Sequence, residues 1–108
     1  MEEEKKEPTL KGPHALQLAR ELSRLPNGDF HIAFFPYSSS RDKAVPRLRV
    51  IKHCKWRTQL PHERFAKTAD NYFLFTDSEG NPKTCYRILI RYMAFPPDNY
   101  KLHKIDWL

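Results

Sequence analysis

Apolar positions recur at helical spacing only near the start of the chain. Ala15, Leu18, Ala19, Leu22 and Leu25 fall on one helical stripe, with Gln17, Arg20, Glu21 and Arg24 opposite. Pro13 suits a first helical position, and Pro26-Asn27-Gly28 stops the helix and turns the chain. Beyond Gly28 the pattern becomes short and strand-like. Asp29 to Pro36 places Phe30, Ile32 and Phe34 on one face. Tyr37 to Pro46 reads as a polar loop, and a strand runs from Arg47 to about Thr58. Pro61 to Phe65 has the make-up of one helical turn. Asn71 to Thr76 is nearly all apolar, as in a strand buried on both faces. The turn Asp77 to Pro82 returns it into Lys83 to Phe95, with Tyr86, Ile88, Ile90 and Tyr92 on one face and Cys85, Arg87, Leu89, Arg91 and Met93 on the other. Pro96 to Asn99 turns again into a closing strand, Tyr100 to Leu108. The expected fold is α+β: one N-terminal helix packed on a curled, mostly antiparallel sheet of about five strands. Periodicity leaves open a partly open barrel or a sheet covered by the helix.

Charge changes the picture most between Arg41 and Arg57. Seven basic residues (Arg41, Lys43, Arg47, Arg49, Lys52, Lys55, Arg57) stand there against Asp42 alone, enough to account for the chain's formal net charge of +6. An unbroken strand would put Arg47, Arg49, Ile51, His53, Lys55 and Arg57 on one face, and Leu48, Val50, Lys52, Cys54 and Trp56 on the other. Such a cationic stripe, with Tyr37 and Trp56 beside it, matches the way small β domains follow a phosphate backbone while rings stack on bases. A stripe of this kind also serves as solvated sheet surface or as protection for an edge strand. The near absence of acids favours a polyanionic partner over a merely solvated face.

The chain has 108 residues, 40% of them apolar and 13% aromatic, which suffices for one domain with one core. Residues 1–12 mix Glu and Lys with little to bury and read as a flexible arm, leaving 13–108 as the domain. The N-terminus has neither the basic nor the apolar region of a secretory signal, and no apolar run is long enough to span a bilayer. A cytoplasmic protein without membrane association is the expectation, with Cys54 and Cys85 as reduced packing residues.

Other chemistry is thin. His53, Cys54, His62 and Cys85 are metal-ligand types without ligand spacing, and His53 and Cys54 are adjacent in a strand. Asp29 and His31 lie two apart, so a carboxylate can orient an imidazole, yet no activated nucleophile accompanies them; Ser38-Ser39-Ser40 sits in a polar loop. Three glycines form no phosphate loop. No enzyme, metal or cofactor is expected. Phe34-Phe35-Pro36-Tyr37 is a candidate sticky rim for partner binding or self-assembly.

The stretches NYFLF (71–75) and PKTCYRILIRYMAFPPD (82–98) resemble small uncharacterised proteins of bacterial phages and mobile elements, over the C-terminal third to half of the chain. The resemblance implies a prophage-type gene product, DNA-associated or a virion accessory, and brings no catalytic motif. The sequence therefore points to non-catalytic binding of DNA or RNA, with little sequence choice. The expected contacts are Arg41, Lys43, Arg47, Arg49, Lys55 and Arg57, aided by Trp56. The alternative is a structural or interaction module whose basic face meets an acidic protein surface or another copy of the chain.

Overall fold

The computed structural model describes residues 8–38, 43–60 and 71–108. Its elements are β1 (Thr9–Lys11), α1 (Gly12–Leu22), β2 (Phe30–Phe34), β3 (Tyr37–Ser38), β4 (Lys43–Ala44), β5 (Arg49–Trp56), β6 (Tyr72–Thr76), β7 (Pro82–Tyr86), β8 (Ile90–Phe95) and β9 (Lys101–Asp106). Seven strands form one open sheet in the order β1-β9-β8-β2-β5-β6-β7, and β3 pairs with β4 apart from it. All sheet pairings are antiparallel except β1 with β9. The α+β class holds, with more strands than the five expected. Arg41 and the turn expected over 61–65 lie outside the described residues.

The additional strands have physical origins that periodicity does not reveal. Residues 9–11, read from sequence as part of the arm, add a short parallel edge to β9 through backbone pairing. Leu10 packs on the core, and Lys11 Nζ lies 2.6 Å from Asp106 Oδ2. The expected long return strand is two strands, because a 3-10 turn over Arg87–Leu89 interrupts it. The polar loop after Pro36 contains the β3–β4 pair, with Tyr37 opposite Ala44. Asn71 to Thr76 is buried on one face only: Phe73 and Phe75 are inside, while Tyr72, Leu74 and Thr76 are half-buried.

One face of the sheet meets α1. Ala15 and Ala19, both fully buried, join Phe30, Ile32, Cys54, Phe75, Met93 and Ile105 in one core, with α1 lying against β5 and β9. Leu25 falls beyond the helix and is 54% exposed, so the stripe ends a turn earlier than its spacing suggests. Ser23 ties the helix end to the sheet: its hydroxyl donates to Ala19 O at 2.7 Å and accepts the Trp56 N–H at 2.8 Å. Gly28 then passes so close to Leu22 that a side chain there would strike its carbonyl. No helix among the described residues is long and apolar enough to cross a membrane.

β8 carries a bulge. Ala33 and Phe34 are neighbours in β2, but they face Tyr92 and Ile90, so Arg91 is the extra residue. This brings Ile90 onto the core face together with Met93, where unbroken alternation would separate them; both are fully buried.

Gly12 starts α1 directly under Trp107. A Cβ at residue 12 would stand 2.1 Å from the indole ring, and the ring is pinned by its Nε1–H donating to Ile90 O at 2.9 Å. Gly12→Ala should therefore destabilise by about 1–3 kcal/mol, as overpacking does. A urea titration followed by tryptophan emission measures it; an unchanged midpoint would contradict this seating of Trp107.

Candidate nucleic-acid interface

The basic strand β5 is not regular. Phe30 pairs with Cys54, but Ile32 pairs with Ile51, so two steps along β2 match three along β5. The extra residue is taken up at Lys52-His53, where His53 has φ 56°. A non-glycine residue in this left-handed region costs on the order of 1–3 kcal/mol unless its surroundings hold it. Paired residues share a face, so Arg49 and Ile51 stand with Phe34 and Ile32 on the helix-bearing side. Past the bulge, Cys54 and Trp56 occupy that side while Lys55 pairs with Thr76 opposite. The single cationic face expected from alternation is thus divided.

What holds the bulge is Asp29. His53 Nδ1–H donates to Asp29 Oδ2 at 2.8 Å, and the Tyr100 hydroxyl donates to Asp29 Oδ1. Tyr100 also has φ 58°, directly after Asn99 at 60°, so both side chains reaching this carboxylate leave from left-handed backbone. His31 stacks on Tyr100 with centroids 4.2 Å apart and meets the edge of His53 at 4.6 Å. Burial of Asp29 raises its pKa, but the hydrogen bonds from Tyr100 and His53, with the imidazole charges, outweigh this and hold it below the usual carboxylate value. The same hydrogen bond pushes the Tyr100 phenol up to about 12. His31 is lowered, first by burial and then by the charge of His53; its Nε2 is buried with no hydrogen-bond partner among the described residues.

An Asp–His pair of this kind is the arrangement of a general base, and the sequence paired Asp29 with the wrong histidine for it. No hydroxyl or thiol hydrogen-bonds to His53 among the described residues. The effect of the pair in this fold is to lock the bulge. Cys54 and Cys85 are free and buried, and burial pushes the Cys54 thiol up to about 12, away from thiolate chemistry. Among the described residues no three potential ligands gather for a metal ion.

The predicted contacts now separate. Arg49 lies in a pocket of about 290 Å³ lined also by Tyr37, Tyr72, Tyr86 and Lys83, with Phe34 and Ile51 at its base. Tyr86 is the centre of this cage. Its ring meets Tyr37 at 4.9 Å and Tyr72 at 4.7 Å, and the Tyr72 and Tyr86 hydroxyls are 3.0 Å apart. Lys43 and Arg47 are exposed and flank the pocket along the segment that pairs with Pro36 and Tyr37. Lys55 and Arg57 are used elsewhere. Lys55 Nζ donates to Leu25 O at 3.1 Å, and the Arg57 guanidinium donates to the carbonyls of Phe75, Thr58 and Lys83. Trp56 packs against the core with the Arg20 guanidinium 4.5 Å above its ring. Tyr72, Tyr86 and Lys83 were not anticipated as site residues; they are far from Arg49 in sequence and arrive through the β6–β7 hairpin.

Compared with known proteins, the chain matches no family model, no curated protein and no solved structure.

Acid should weaken this fold in two steps. His31 has a lowered pKa when folded, so the unfolded chain takes up the proton first, and stability falls as the pH drops below its ordinary value of about 6.5. Asp29 is also lowered, so its contribution is complete above the ordinary carboxylate range and is lost as the pH falls through its folded pKa. His31→Phe should flatten the loss between pH 7 and 5 while leaving the lower limb in place. Urea midpoints across pH 3–7 measure both; an unchanged upper limb in the variant would contradict the assignment to His31.

Proposed function

We propose that the protein binds single-stranded nucleic acid without catalysis and with little sequence choice, through the tyrosine pocket and the cations around it. The observation that carries this reading is the convergence of three tyrosine rings with Arg49 and Lys83 in one pocket. Rings offer stacking surface to any base, and cations pair with phosphates whatever the sequence. Arg49 has no carboxylate partner among the described residues, so its charge is left for a ligand. Lys43 and Arg47 extend the same cationic region. A DNA- or RNA-associated accessory role in a phage or mobile element fits such binding.

The second reading, an interaction module, draws on the face away from α1. Val50 and Leu102 lie there, 57% and 51% exposed. An acidic protein surface or a second copy would be its partner.

Titration with a fluorescent single-stranded oligonucleotide at several salt concentrations separates the two. Arg49→Gln should weaken all sequences about equally and reduce the salt slope by roughly 0.7 for a single strand. Lys55→Gln should leave affinity unchanged. Arg57→Gln should instead lower stability by about 1–3 kcal/mol, because three backbone carbonyls lose a charged donor. Absence of wild-type binding at low salt would overturn the nucleic-acid reading and leave the interaction module in front.

A further inference from the structure

A second recess, of about 400 Å³, opens between α1 and the β6–β7 hairpin. Arg20 reaches it from the last turn of the helix, Arg24 from the turn that follows the helix, and Arg87 from the 3-10 turn after β7. The Trp56 indole and Phe73 complete its wall. Two of the three guanidinium groups are positioned by uncharged partners. Arg20 stacks on Trp56 at 4.5 Å, and Arg87 Nε donates to Tyr72 O at 3.1 Å. None of the three has a carboxylate partner among the described residues. The single acid in the lining among the described residues, Glu21, accepts from Gln17 Nε2 at 3.1 Å.

Among the described residues, three guanidinium charges against one carboxylate give the lining a net charge of +2. An internal phosphodiester carries one negative charge. A terminal phosphomonoester, whose second pKa is about 6, carries close to two at neutral pH and offers three acceptor oxygens. Guanidinium groups suit that geometry through bidentate pairing. The recess and the tyrosine pocket share the β6–β7 hairpin at the sheet edge: Phe73 follows Tyr72 and Arg87 follows Tyr86, with Tyr72 and Phe73 on opposite faces of β6, so a strand lying on the tyrosines would meet the arginines by passing round that edge.

We propose that this recess holds the terminal phosphate of a nucleic-acid strand whose bases lie on the tyrosines, an inference that rests on the nucleic-acid reading above. The arginines would distinguish a phosphorylated end from a hydroxyl end. The chain would then be a reader of strand ends as well as a general binder.

The test compares one single-stranded oligonucleotide with a 5′-phosphate, a 3′-phosphate, or hydroxyls at both ends, titrated against the full chain. One phosphorylated form should bind about tenfold tighter than the hydroxyl form, and which one it is gives the polarity of the bound strand. Arg24→Gln, at an exposed position, should cut that preference severalfold while changing the affinity for the hydroxyl form far less. Arg20→Gln should do the same if Trp56 stays seated, which its emission reports. Equal affinity for all three forms would overturn this proposal and leave the nucleic-acid reading standing. A preference that survives both variants would also overturn it. Absence of binding by every form at low salt would overturn both.

Discussion

One extra residue in β5 determines which face of the sheet each cation of that strand takes. Without the bulge at Lys52-His53, the alternation of Arg47 to Arg57 would build a single charged face. With it, Arg49 turns to the helix-bearing side beside the tyrosines, and Lys55 turns away to the opposite side. Cys54 and Trp56 gain the core, where Phe30 and Phe75 are their cross-strand partners. The strained backbone at His53 is held by a carboxylate: Asp29, just before β2, accepts one hydrogen bond from His53 of β5 and another from Tyr100 in the β8–β9 turn. Removing that acceptor would release two left-handed residues together.

The division of labour among cations follows from their partners. Arg57 is surrounded by backbone carbonyls and fastens the start of the β5–β6–β7 region. Lys55 closes the chain after α1 by meeting the Leu25 carbonyl. Arg49, Arg20, Arg24 and Arg87 have no carboxylate to neutralise them among the described residues and lie in two recesses that share the β6–β7 hairpin. Net charge alone does not reveal this difference. A guanidinium satisfied by carbonyls contributes to stability, while one aimed into a recess beside aromatic rings retains its attraction for an anion.

Much of the fold is legible in the sequence because it rests on local signals. The spacing of Ala15 and Ala19 marks the buried stripe of α1, Pro13 its start, and Pro26 to Gly28 the turn after it. Asp77 to Pro82 carries its own turn chemistry, with Asp77 Oδ1 accepting from the N–H groups of Glu79 and Asn81. The elements that escape the sequence lack such signals. A three-residue parallel edge at Thr9 to Lys11 needs only backbone pairing, and no glycine announces the bulge at His53. The break over Arg87–Leu89 interrupts a segment whose alternation looks continuous. The candidate site escapes for a different reason: Arg49, Tyr86, Arg87 and Arg20 come from four separate elements, and only the fold gathers them into two recesses that share the β6–β7 hairpin. Tyr37 and Arg49 were visible as an aromatic beside a cation, but not the hairpin that completes their pocket.

In the proposed nucleic-acid reading, the bulge directs the ligand to one side of β5. Backbone amide shifts in an NMR titration with a short single-stranded oligonucleotide test it residue by residue. The account predicts shifts at Tyr37, Arg49, Lys83 and Tyr86, with Lys52, Lys55 and His31 undisturbed. Shifts centred on Lys52, Lys55 and His31, with the tyrosine pocket unchanged, would contradict it.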